Sequence, residues 1–145
     1  MSVTVEMVDA TIKVNRCFNY AADQGFNDRW SILDVGDVDF GDCDDYALTT
    51  AWLLSGQSTA RLLMNVLRGK LDFHYCKTDR GERHLILEYR GHWIDSISRA
   101  WMDESPHRLR FRAPLPLVAF KMLGNVVSLG LIVVVGAVVA FQALT

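Results

Sequence analysis

The stretch Gly41-Asp42-Cys43-Asp44-Asp45-Tyr46-Ala47-Leu48 decides how the chain is read, because a Gly- and Asp-rich irregular segment turns there into a helix that begins on a cysteine. Backbone N–H groups left unpaired at a helix start favour a thiolate, the nucleophilic form of the side chain. Downstream of Cys43, the residues Ala47, Leu48, Ala51, Trp52 and Leu54 recur with helical spacing, and Gly56 suits a left-handed cap. A central buried helix is therefore expected from Cys43 to Gly56.

Working outward, a helix is predicted over 5–23, with Thr4 as N-cap and Val5, Val8, Ile12 and Ala22 on one apolar stripe. Asn15 and Asn19 fall on that stripe and need partners, either to cap the following loop or to shape a site. Residues 24–42 form a connection long enough to suggest a functional role in lining a cleft. After the central helix, Ser58 or Thr59 caps a short helix carrying Leu62, Leu63, Val66 and Leu67 and stopping at Gly69. A three-stranded meander over 70–78, 84–90 and 92–97 follows, with turns at Asp79-Arg80-Gly81-Glu82 and at Gly91. The expected class is α+β.

His84 opens the middle strand and shares a face with Ile86, Glu88 and Arg90, while Asp95 lies on the next strand. Their side chains meet only if register sets them diagonally on one face, which alternation alone leaves open. If they meet, Cys43, His84 and Asp95 supply a nucleophile, its base and the acceptor that fixes the tautomer of the base. The backbone N–H of Cys43, with Asn19, Asn27 or the indole of Trp30, would hold a developing oxyanion. Asp42, Asp44 and Asp45 oppose a thiolate. Ion pairing with His84 is expected to offset them, the carboxylates pointing away to favour the helix start. A metal set drawn from Cys43, His74, Cys76 and His84 has the right ligand types but no paired ligand spacing. No metal or cofactor is expected. His92 and His107 read as exposed or interfacial, and Cys17 and Cys76 as small hydrophobes.

The chain has 145 residues, half of them apolar, a net charge of −2 and three cysteines. One domain over 1–112 accounts for the soluble pattern. An odd cysteine count with no repeated spacing argues against a disulfide framework, and the absence of a basic, aromatic-interleaved stripe argues against nucleic-acid binding. No secretory signal pattern opens the chain, since Glu6 and Asp9 fall within its first residues. Residues 122–144 carry no charge, and as a helix they would reach roughly 35 Å, the span of a bilayer. Arg108, Arg110, Arg112 and Lys121 precede them without intervening acids, which predicts a tail-anchored topology with the N-terminal domain cytoplasmic. Residues 113–121 are the expected juxtamembrane linker, and the bilayer the expected partner of 122–144. Gly136 and Ala140 leave oligomeric state open.

These residues carry a resemblance. Val14-Asn15 with Asn19, Asp28 with Trp30, the block from Gly41 to Ala47, His84 in His-Leu-Ile-Leu and Trp93-Ile94-Asp95 together resemble the bacterial transglutaminase-like cysteine proteinases. The resemblance covers roughly residues 12–97, about three fifths of the chain. It implies a papain-like or transglutaminase-like core, a Cys-His-Asp triad at Cys43, His84 and Asp95, and acyl hydrolysis or transfer on a peptide or protein through a cysteinyl thioester. Trp30 is followed by Ser31-Ile32-Leu33-Asp34 where that family has a proline and an acid, residues 58–69 look inserted, and a terminal anchor is foreign to its pattern. The competing expectation is a non-catalytic, membrane-anchored module on the same scaffold, such as a phage virion or host-interaction protein.

Overall fold

The computed structural model describes residues 2–22 and 29–122. Helix α1 (Val5–Cys17) runs into strand β1 (Phe18–Tyr20), which pairs in parallel with β2 (Asp39–Gly41). Helices α2 (Cys43–Leu54) and α3 (Thr59–Leu67) follow, then β3 (Leu71–Lys77), β4 (Arg83–Tyr89), β5 (His92–Ile94) and β6 (Arg108–Arg112). A fourth helix over 115–122 reaches the end of the described residues. The four-stranded sheet has the order β5-β4-β3-β6, with every pairing antiparallel.

The start of α2 is built by reciprocal capping. The Asp42 carboxylate accepts from the N–H groups of Asp44 (2.9 Å) and Asp45 (3.4 Å), while the Asp45 carboxylate accepts from the N–H groups of Ser31 (2.6 Å) and Asp42 (3.3 Å). Asp45 leaves no room beside Gly41, where a Cβ would lie 2.7 Å from its Oδ2. Cys43 thus enters the helix from a strand end whose backbone is packed against the cap. On the core side, α2 buries Tyr46, Ala47, Leu48 and Ala51 and packs against β4 and α1.

Helix α1 ends at Cys17, six residues before the expected position, because Phe18 turns extended to pair with β2 and sets its ring edge-on to Tyr46 at 5.0 Å. Its buried face is also not the expected one. Met7, Ala10, Val14 and Cys17 are inside, whereas Val5, Val8 and Ile12 are exposed. Both sets have helical spacing, and the slim Ala10 and Cys17 permit the closer approach of a neighbouring helix. Asn15 joins three elements, accepting from the Tyr46 hydroxyl (2.8 Å) and donating to the Arg99 carbonyl (3.0 Å).

The expected architecture of one small antiparallel sheet followed by a transmembrane helix is overturned. Among the described residues there are two sheets, and no helix is long and apolar enough to cross a membrane. Residues 123–144 of the expected span lie outside the described residues. The stretch 113–121, expected as a linker, places Ala113 and Val118 in the core, and its Lys121 carbonyl accepts from the Trp30 N–H at 3.2 Å. The basic residues 108, 110 and 112 belong to β6, an edge strand whose alternation of arginine with Leu109 and Phe111 is the period of a strand. Phe111 stacks on Tyr75 of β3 at 4.7 Å, and Arg112 pairs with Asp72 at 2.7 Å.

Candidate active site

The β4–β5 hairpin closes through Arg90 and Gly91, both at positive φ, and sets Tyr89 opposite His92, Glu88 opposite Trp93 and Leu87 opposite Ile94. Continued one step, this register puts Asp95 opposite Ile86, on the face of His84 and one diagonal place away. The diagonal contact left open by the sequence is made. His84 Nε2 donates to Asp95 Oδ2 at 3.0 Å, and both side chains are buried.

Asp95 collects four donors. Oδ2 accepts from His84 and from His107 Nε2 at 2.8 Å, and Oδ1 accepts from the N–H and the hydroxyl of Ser98, each at 2.7 Å. Burial pushes the carboxyl up, but the donors outweigh it: His84, the Ser98 pair and His107 together hold Asp95 well below the usual carboxylate range. The carboxylate is therefore charged and fixed.

Cys43 and His84 open onto one cavity of about 370 Å³, bordered also by Tyr20, Glu82, Arg83 and Ile97. They make no direct hydrogen bond. Half-buried Cys43 donates its thiol to Asp44 Oδ1 at 3.5 Å, so one of the three carboxylates expected to point away is in contact with the sulfur. Burial, then the charge of Asp44, raises the Cys43 thiol well above its ordinary range, partly opposed by a bond from the Leu85 backbone. The ion pair expected to outweigh the carboxylates is not formed in this arrangement. Nδ1 of His84 has no partner among the described residues and is the nitrogen free to receive a proton.

The remaining expected residues separate from this cavity. Asn19 donates back to the Cys17 carbonyl at 3.4 Å, and its neighbour Tyr20 borders the cavity instead. Asn27 lies outside the described residues. Trp30 is a core residue packed on Phe73 at 5.2 Å and borders a different cavity, with Leu48 and Met122, which removes its indole from oxyanion binding. The backbone N–H of Cys43, without a partner among the described residues, is the donor that stays at the sulfur.

The alternative metal set also comes apart. His74 Nε2 bonds Glu88 at 2.9 Å, and Cys76 donates to the His84 carbonyl at 3.4 Å. Burial raises the Cys76 thiol to about 11, and Cys17 is likewise raised by burial, in keeping with inert core thiols. A ring nitrogen of His84, a ring nitrogen of His107 and a carboxylate oxygen of Asp95 lie within 4.8 Å of one another, a spacing that a cation can bridge. The contacts to Oδ2 have hydrogen-bond lengths, however, and buried Nδ1 of His107 has no partner among the described residues, so the outer acceptor that supports a metal-bound imidazole is lacking.

His92 is buried and His107 is half-buried, rather than exposed. His92 Nδ1 lies 3.0 Å from Asp103 Oδ1, at an angle that makes no hydrogen bond. His107 is a site residue that sequence reasoning missed. Its signal was its place, directly ahead of the alternating Arg108-Leu109-Arg110-Phe111-Arg112 and thus at a strand entry. Ser98 had a clearer one, since serine three residues after an aspartate matches a local side-chain turn. Neither a protein-family profile nor a curated protein sequence matches this chain.

Proposed function

We propose that this protein is a cysteine-dependent acyl hydrolase or acyltransferase acting on a peptide or protein, with Cys43 as nucleophile, His84 as base and Asp95 as the acceptor that orients it. The observation that carries the reading is His84 held by buried Asp95 through Nε2 while it opens, with Cys43, onto one cavity. In the reaction the thiol proton leaves Asp44 and passes to His84 Nδ1 across the shared cavity. Sulfur then attacks the acyl carbon, the proton passes from His84 to the leaving amine, and water or a second amine releases the acyl group from the thioester. The N–H of Cys43 at the helix start stabilises the oxyanion. The cavity is at the small end of ligand sites, which suits a side chain presented on a larger substrate. The motif resemblance to transglutaminase-like cysteine proteinases points the same way.

A second reading, a non-catalytic module on this scaffold, draws on the Cys43 thiol bonded to Asp44 and held protonated. Iodoacetamide at neutral pH separates the two. The enzyme reading expects Cys43 to be alkylated well ahead of Cys17 and Cys76 and to slow in His84→Ala, as read by peptide mass spectrometry. Equal, slow labelling of all three thiols ends it.

A further inference from the structure

We infer that His107 is a positioning residue, whose imidazole clamps Asp95 so that His84 keeps its free nitrogen toward Cys43. This rests on the acyl-transfer reading above. An ionised carboxylate has about four lone-pair sites. At Asp95 they are all taken, two by Ser98 on Oδ1 and two by the imidazoles on Oδ2, so the carboxylate cannot turn without breaking a pair of bonds.

The tautomer of His107 follows from its surroundings. A proton on its buried, unpartnered Nδ1 would leave one donor unmatched and set a bare lone pair against the carboxylate. His107 therefore donates from Nε2. Its ring stands perpendicular to that of His84, with centroids 5.1 Å apart, and so also walls the base on one side. The backbone is prepared for this role, since the Ser105 hydroxyl accepts from the His107 N–H (3.4 Å) and donates to the His107 carbonyl (2.9 Å).

Sharing one oxygen between two imidazoles weakens the hold of each. Loss of His107 leaves the whole of Oδ2 to His84, which then holds its proton more firmly when charged. The other groups facing His84 are Cys76 across the β3 pairing and Cys43, Glu82, Arg83 and Tyr20 around the cavity; none of them donates to Oδ2. On the acyl-transfer reading, alkylation of Cys43 requires that His84 take the thiol proton now bonded to Asp44.

Two measurements on the full chain test the inference. Long-range proton–nitrogen NMR on the labelled wild type reads which ring nitrogen is protonated. A proton on His107 Nε2 is expected, and one on Nδ1 overturns the clamp. In His107→Leu the midpoint of the Cys43 alkylation profile moves up by about one pH unit, a tenfold change in proton affinity. In His107→Gln, whose amide nitrogen can occupy the place of Nε2, the midpoint returns to the parental value. Loss of stability in both variants with an unmoved midpoint means a purely structural residue and overturns the inference. If His107→Leu fails to fold, the NMR result and the glutamine variant still decide. An unchanged Cys43 rate in His84→Gln defeats the acyl-transfer reading itself, whereas a normal response there with no shift in His107→Leu defeats only the role of His107.

Discussion

Replacing Asp95 with asparagine tests the centre of the site with almost no change of shape. Four donors converge on the carboxylate, two on each oxygen, and an amide offers only one acceptor oxygen. With that oxygen toward Ser98, the NH₂ group faces the two imidazoles, which accept from it only after both move their protons to Nδ1. His107 then carries an N–H in a buried position that has no acceptor among the described residues, at a cost of about 1–3 kcal/mol. With the amide reversed, the Ser98 N–H is left unmatched at a similar cost, its hydroxyl still having the Ala100 carbonyl to donate to. The variant is therefore expected to fold, with an unfolding free energy in urea lowered by that amount on tryptophan fluorescence. Function suffers more. His84 would now present a proton, not a lone pair, to the cavity, and Cys43 alkylation should fall by about 10²-fold or more, the usual worth of a general base. A folded Asp95→Asn protein alkylated at Cys43 at the parental rate would refute the reasoning, since His84 would then act without an oriented tautomer.

Further outcomes follow from single contacts. Gly41→Ala drives a methyl group to 2.7 Å from Asp45 Oδ2 and 2.9 Å from Leu33 Cδ2, so thermal unfolding should show a loss of about 1–3 kcal/mol. Tyr46→Phe removes the 2.8 Å bond to Asn15 and should lower stability by about 1 kcal/mol in urea, with Cys43 alkylation little changed. Asp95 is depressed by its donors in the folded chain, so its contribution is complete above the ordinary carboxylate range and is lost as pH falls from about 4 through its lowered value. Acid titration followed by circular dichroism should show this loss in the wild type and its absence in Asp95→Asn.

The sequence made much of the fold legible, and the failures have physical causes. The helix start at Cys43, a cap at Ser58 or Thr59 and both hairpin turns were readable because each depends on local chemistry. The face of α1 was misassigned because two stripes share the helical period and only the neighbour decides between them. Strand β1 was hidden because Phe18–Tyr20 gains its pairing from β2, some twenty residues away. Strand β6 had an alternating pattern, but its arginines were read as the flank of an apolar segment. At the site, the contact between His84 and Asp95 followed from turn geometry once register was known. His107 did not, since nothing local in Ser105-Pro106-His107 tells that its ring will meet a carboxylate placed by another edge of the sheet.

Asp95 leaves strand β5 on one margin of the sheet and His107 enters strand β6 on the opposite margin, so the intervening chain must traverse the sheet before both imidazoles reach the carboxylate. During synthesis the sulfur, the first imidazole and the carboxylate all emerge ahead of residue 107. A nascent chain ending there holds every group named in the reaction yet lacks the strand that anchors the second ring, and closing so distant a pairing is slow. On the proposed reading, competence waits until β6 docks, and Cys43 stays idle while that strand is still unpaired.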